Sequence, residues 1–431
     1  MSRINGDGIA HSLHPDMNAA RDARRPIHEV HREEFTACPG RSGRRSPVVL
    51  QVLPSLVTGG VERSTIEMAE AVAAAGWRAL VASAGGSLVA AVERAGGRHI
   101  CLPLDTRGPL GIWRNAGRLA RLIQAEGVDI VHARSRAPAW SSWIATRRAG
   151  ARFVTTYHGT YAEDLPFKRR YNAVMAKGGI VITASRFVAE LVIARHGIDP
   201  SRVRVIPRGV DPAVFDPAAV SSERLRRLDR VWTLPPDATV ITLPGRLTGW
   251  KGQSVLLDAF AQLRRQDVVC VLLGSDQGRA GYADGLRRQA ERLGIANRVR
   301  MPGECDDMPA ALLRSDVVVH ASTEPEAFGR VVIEAQAMAR PVIAADLGGP
   351  VETVEDGVTG WRVPPGQPAA LAAAIDRALA LRPERCAAIS AAARTAVLAR
   401  CTKRAMQEAT LGVYRELLAA PAHGGVAGKG G

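Results

Sequence analysis

Two glutamates eight residues apart, Glu326 and Glu334, stand in the stretch TEPEAFGRVVIEAQAMARP (323–341). Glu334 interrupts the apolar run Val331-Val332-Ile333-Glu334-Ala335, and glutamate is almost never fully buried unless it is paired. A carboxylate so placed is suited to accept two hydrogen bonds from a vicinal diol such as a ribose, so that ligand rather than protein would satisfy it. The bland alternative, a solvated helix face, fits the apolar neighbours poorly. Three other places carry groups suited to an anion or a sugar. Gly59-Gly60 opens an amphipathic helix in PSLVTGGVERSTIEMAEAVAAAGW (54–77), where backbone N–H groups meet negative charge; a plain tight turn explains the pair equally well. His158 ends an apolar run in TTYHGTY (155–161) and is either structural or a hydrogen-bonding group for a sugar hydroxyl. Arg246 and Lys251 flank the glycine-bearing loop of LPGRLTGWKGQSVLLDAF (243–260). A guanidinium and an ammonium converging on a helix start suit a diphosphate better than they suit a surface loop.

What is missing narrows the chemistry. No two aspartates are spaced D-x-D, and neither H-E-x-x-H nor G-x-S-x-G occurs. The lysine loop is not a Walker A loop, because Gly252 follows Lys251, and Gly59-Gly60 is not part of a G-x-G-x-x-G turn. HEVHREE (28–34) matches no helical zinc spacing. Six cysteines (Cys38, Cys101, Cys270, Cys305, Cys386 and Cys401) contain no C-x-x-C, which argues against a zinc site or a disulfide framework and for the reducing cytoplasm. The expectation is a site with no metal and no cofactor, in which positive side chains and helix ends neutralise a leaving diphosphate.

These residues need elements to hold them. At 431 residues the chain is too long for one core, so two domains are expected. Short β-branched runs alternate with helical patterns, as in parallel sheets of βαβ units. The first half offers strands at 48–53, 78–83, 98–103, 129–133, 152–158, 180–185 and 203–207. GVDPAVFDP (209–217) reads as a linker, and strands restart at 239–245, 268–274, 298–303, 316–322, 341–346 and 359–364. Helices follow at 368–381, 384–400 and 402–419. The expected domains are 48–212 and 213–401, two doubly wound α/β units facing a cleft, flanked by a disordered tail at 1–47 and a flexible tail at 420–431. In open α/β sheets ligands bind beyond the carboxyl ends of strands, and there the singled-out residues fall.

At this point the motifs are familiar. Over residues 48 to about 418 the chain resembles the retaining glycosyltransferases of the GT-B fold, family 4, also called group 1. The specific part is TEPEAFGRVVIEAQAMARPVIAADLGGPVETVEDGVTGWRVPPG (323–366), with the Glu-x7-Glu signature as Glu326 and Glu334. GGVE (59–62), IPRGVD (206–211) and GRLTGWKG (245–252) follow the family's order and spacing. The resemblance implies that Arg246 and Lys251 hold the donor diphosphate and that Glu334 binds the nucleotide ribose. It sets Glu326 against the donor sugar, with the backbone of Ala327, Phe328 and Gly329 at sugar and phosphate. Gly59 and Gly60 would lie near phosphate and acceptor, His158 would be the first domain's cleft histidine, and Pro302-Gly303-Glu304 would border the nucleobase. The implied catalytic set is His158, Arg246, Lys251 and Glu326, working without metal and with retention at the anomeric carbon, and the helix 402–419 would cross back to the first domain. Ala327 and Arg340 stand where the family often has glycine, and Arg208 stands where asparagine is common; Arg208 and Arg340 read as peripheral.

The net charge of +15 is uneven, for residues 48–212 carry 22 basic and 12 acidic side chains. An anionic partner for that segment is expected. TRGPLGIWRNAGRLARLI (106–123), AWSSWIATRRAGARF (139–153) and LPFKRRY (165–171) set aromatics beside cations, which suits a lipid interface or is an ordinary arginine-rich surface. With no apolar run near the roughly 18 residues of a membrane span, the expectation is a cytoplasmic enzyme, peripheral on the inner membrane face. It would glycosylate a glycan or anionic lipid-linked acceptor in lipopolysaccharide or polysaccharide synthesis. Two other readings compete. A non-enzymatic basic protein binding nucleic acid would interleave base-stacking aromatics, but aromatics are only 4%, so no nucleic acid is expected. A nucleotide-sugar epimerase of the same fold would need a catalytic acid set that no motif supplies.

Overall fold

The computed structural model describes residues 45–57, 59–161, 166–278 and 280–420. Nearly all of the two expected tails, with HEVHREE and Cys38, and Leu165 of the basic segment lie outside the described residues.

Strands β1 (Val48–Val52), β2 (Arg78–Ser83), β3 (Gly97–Cys101), β4 (Ile130–Ala133), β5 (Arg152–Tyr157), β6 (Ile180–Thr183) and β7 (Val203–Val205) form one sheet, in the order β3-β2-β1-β4-β5-β6-β7. A second sheet holds β8 (Thr239–Pro244), β9 (Val268–Leu273), β10 (Val299–Gly303), β11 (Val317–His320), β12 (Val342–Ala345) and β13 (Trp361–Val363), in the order β10-β9-β8-β11-β12-β13. Every pairing is parallel. The central strands are buried along their whole length, as continuous apolar runs covered by helices on both faces must be. Each expected strand exists, generally a residue or two shorter than its apolar run.

Both sheets reverse direction at their first strand, between β1 and β4 and between β8 and β11. Such a switch point opens a crevice at the carboxyl ends of its two strands. Gly59-Gly60 follows β1, the Arg246–Lys251 loop follows β8 and Glu326 follows β11, so three of the candidate groups border switch points.

The chain passes between the sheets twice, along adjacent paths. The Val210 amide donates to Cys401 O at 2.8 Å, and the Lys403 amide donates to Val210 O at 2.7 Å. A side chain at Gly209 would put its Cβ 2.5 Å from the Lys403 nitrogen, so only glycine fits where the two crossings touch. The last helix, Lys403–Ala419, then lies on the first sheet, with the Thr402 hydroxyl accepting from the Ala405 amide as its cap. Its Met406, Leu411, Val413, Tyr414 and Leu417 join the core around β1, β2 and the helix Gly60–Ala74. Burying side chains of that size contributes about 1.5–3 kcal/mol each, which holds the helix on the first domain.

Candidate active site

On the second-domain side, three donors converge on one oxygen of Glu326. Lys251 Nζ and His320 Nε2 each lie 2.7 Å from Oε1, and the Ser322 hydroxyl donates to the same atom. Burial alone would raise this carboxyl, but the neighbouring His320 and Lys251 outweigh it and hold the group well below the usual carboxylate range. Lys251 reaches Glu326 because its loop packs tightly on the end of β11. The Thr323 amide donates to Trp250 O at 2.8 Å, and Gly252, at φ 77°, would put a Cβ 1.9 Å from Ala321 O.

Glu334 is the fifth residue of the helix Arg330–Ala337, one turn in, because the helix starts after Gly329. It is 5% exposed. The expectation that a ligand alone would satisfy it is corrected here. Arg63 of the first domain approaches Glu334 Oε1 at 3.3 Å and Arg330, one turn back, approaches it at 3.6 Å. Burial raises the carboxyl pKa, and Arg330 and Arg63 only partly oppose that. Arg330 also meets Glu67 of the first domain at 3.3 Å, and a Cβ on Gly60 would sit 3.7 Å from Arg330 Cδ. The glycine turn of one domain thus faces the glutamate helix of the other.

The first domain grips the Glu326 loop through two hydroxyls. Thr160 donates to Pro325 O at 3.1 Å and Ser185 donates to Ala327 O at 2.6 Å, while Phe328 is buried at the junction. His158 stands two residues before Thr160. Arg208 Nη2 lies 2.7 Å from His158 Nδ1, and His158 Nε2 is buried with no partner among the described residues. Burial, then Arg208, Arg134 and His132, keep the ring well below the ordinary histidine range, so it is neutral at pH 7. Arg208 is itself pushed down to about 9 by burial and by Arg134 and Arg330.

Two expectations therefore change. Arg208 is not peripheral, because it is buried against His158. Arg246 does not share Lys251's setting: it is exposed, and its guanidinium turns to Gln277 at 3.5 Å. Pro302 and Gly303 end the edge strand β10 and Glu304 follows, exposed; they lie beyond β9 from the β8/β11 crevice. Arg63, Arg330 and His320 went unread in the sequence, and Arg208 was misread. His320, at a strand end six residues before Glu326, and Arg330, four before Glu334, carried a usable spacing signal; Arg63 and Arg208 did not.

The comparisons with known proteins agree with this fold. A family model described as Glycosyl transferases group 1 matches residues 226–396, and one described as Glycosyltransferase Family 4 matches residues 58–214. A glycosyltransferase from Rickettsia africae ESF-5 is 37% identical, with a TM-score of 0.81, over 88% of this chain and 100% of that one. The chain belongs to the group 1, family 4 glycosyltransferases. Its fold is GT-B. The Anabaena protein HepE, solved in complex with UDP, is 26% identical with a TM-score of 0.76 over 86% of this chain and 100% of that chain. A D-inositol 3-phosphate glycosyltransferase of Salinispora tropica is 33% identical over 60% of this chain but only 58% of its own length, so the chain spans under two thirds of that relative.

Proposed function

We propose that this glycosyltransferase moves a sugar from a uridine-diphosphate donor to a glycan or lipid-linked acceptor, with retention and without a metal. The observation that carries the reading is the Lys251–Glu326–His320 cluster at the β8/β11 crevice, with Glu334 buried one turn into the helix that follows. Lys251 supplies positive charge for the leaving diphosphate, with Arg246 swinging from Gln277 to join it. Glu326 accepts from sugar hydroxyls, and Glu334 exchanges Arg63 for the ribose diol. The UDP bound to HepE supports uridine. In the step itself the bond from C1 to the phosphate oxygen breaks with its electron pair on the phosphate. The acceptor oxygen bonds C1 on the same face and its proton passes to the leaving phosphate, so no protein base is consumed.

The acceptor lies on the first domain, at the cytoplasmic membrane face. Leu110 and Trp113 are each 60% exposed and Phe167 is 65% exposed, among the arginines of their segments. Arg147, Arg169, Arg170 and Lys177 line a cavity of about 1230 Å³ with Trp143 at its wall. Among the described residues no helix is long and apolar enough to cross a membrane, so the contact is peripheral. Binding to anionic liposomes unchanged in Arg169→Glu/Arg170→Glu would sink that surface.

Calorimetry of UDP, GDP, ADP and their sugars, without metal, tests the donor site on the wild type and on Glu334→Ala. Tight UDP binding that the variant loses is expected. No binding of any nucleotide to folded wild type would overturn the reading.

A further inference from the structure

We propose that Arg208 is a positioning residue that fixes His158 in one tautomer, Nδ1 accepting and the proton on Nε2, so that the histidine meets the cleft as a hydrogen-bond donor and not as a base.

A guanidinium carries only donors. With Arg208 Nη2 at 2.7 Å from His158 Nδ1, that nitrogen has to offer its lone pair. A neutral imidazole holds a single proton, which is then on Nε2, the buried atom that no described residue accepts from. A second proton would set an imidazolium against the Arg208 guanidinium, with Arg134 and His132 also nearby. The carboxylate acting on this group, Glu67, already pairs with Arg330. His132 does not compete for the role, since its two ring nitrogens meet the Tyr414 and Thr156 hydroxyls, each at 2.6 Å. An asparagine at position 208 would have both a donor and an acceptor on its amide and would tolerate either tautomer. Arginine removes that choice.

It follows that the ligand atom opposite Nε2 is an acceptor, a hydroxyl or phosphate oxygen of the nucleotide sugar. This last step rests on the donor-site reading above; the tautomer does not.

The test is a long-range 1H–15N correlation spectrum of the full chain labelled with 15N-histidine. His158→Gln identifies the signal among the 10 histidines. At pH 7 the wild type should show a protonated Nε2 and an unprotonated Nδ1. Arg208→Lys, which keeps a donor, should retain that signature, and Arg208→Leu should lose it to a mixture of tautomers. A wild-type proton on Nδ1, or an unchanged signature in Arg208→Leu, overturns the proposal. If the leucine variant does not fold, the wild-type spectrum still decides. UDP-glucose added to the wild type should then shift the Nε2 signal. No shift and no binding, with the tautomer intact, would overturn the donor site and leave the role of Arg208 standing.

Discussion

On the second-domain side of the cleft a lysine, a histidine and a serine converge on one carboxylate oxygen, Glu326 Oε1. On the first-domain side a histidine lies against Arg208, with Arg134 and His132 also near. The first arrangement pairs opposite charges and holds its carboxylate ionised. The second sets a neutral histidine against a buried guanidinium; burial first, and neighbouring arginines such as Arg134 next, depress the pKa values of both His158 and Arg208. A balanced cluster is complete before any ligand arrives. The other leaves His158 Nε2 without a partner among the described residues, a buried polar atom that a ligand oxygen would satisfy.

Substitutions on the two sides should therefore differ in the size of their effect. Lys251→Ala removes the cation from a buried pair, and the uncompensated carboxylate should cost about 2–3 kcal/mol, moderated by His320 and Ser322. Transfer should fall by about 10²–10³-fold with it. Arg208→Leu relieves the repulsion from Arg134 and Arg330 but leaves His158 Nδ1 without its donor, so the melting temperature should fall much less than in Lys251→Ala. Thermal melts of the two variants side by side would break the comparison if both fell equally.

The acid response sharpens it. The folded pKa of Glu326 lies well below the ordinary glutamate value of 4.5, so its contribution to stability is fully present above that pH and is lost as pH falls toward the folded value. The melting temperature of the wild type should thus fall more steeply below about pH 4.5 than that of Glu326→Gln. Parallel pH curves would contradict the pairing. The smallest effect is expected across the cleft. The Arg63 side chain is 53% exposed, so its pair with Glu334 is worth about 0.5–1 kcal/mol, and Arg63→Ala should tighten UDP by no more than about fivefold. A calorimetric weakening would show that Arg63 serves the nucleotide and not only Glu334.

Most of the strands were legible because they are short apolar runs closed by a turn residue, the signal that burial on two faces imposes on a sequence, while the edge strands β3 and β10 are only partly buried. Glu334 was legible as an anomaly, a charge inside a run that has to pack. Its cation was not, since Arg63 lies 271 residues away in the chain and local pattern says nothing about which arginine a fold brings across a cleft. Arg208 was misread for the same reason, since its meaning lies in the distance to His158 and not in its neighbours. Arg246 shows the converse: its type and spacing suit a phosphate, yet its side chain rests on Gln277.

The last helix has a consequence for how the protein is made on the ribosome. His132 and Tyr414 meet across 282 residues, so at about 5–20 residues per second some 15–60 s pass before the histidine's partner is synthesised. Until then the apolar face that Met406, Leu411 and Leu417 will cover stays open, a surface for chaperones or for misassociation. The strands and interleaved helices of the second sheet lie between Thr239 and Leu379 and can pack while that wait lasts. The first domain to emerge is the last to be completed.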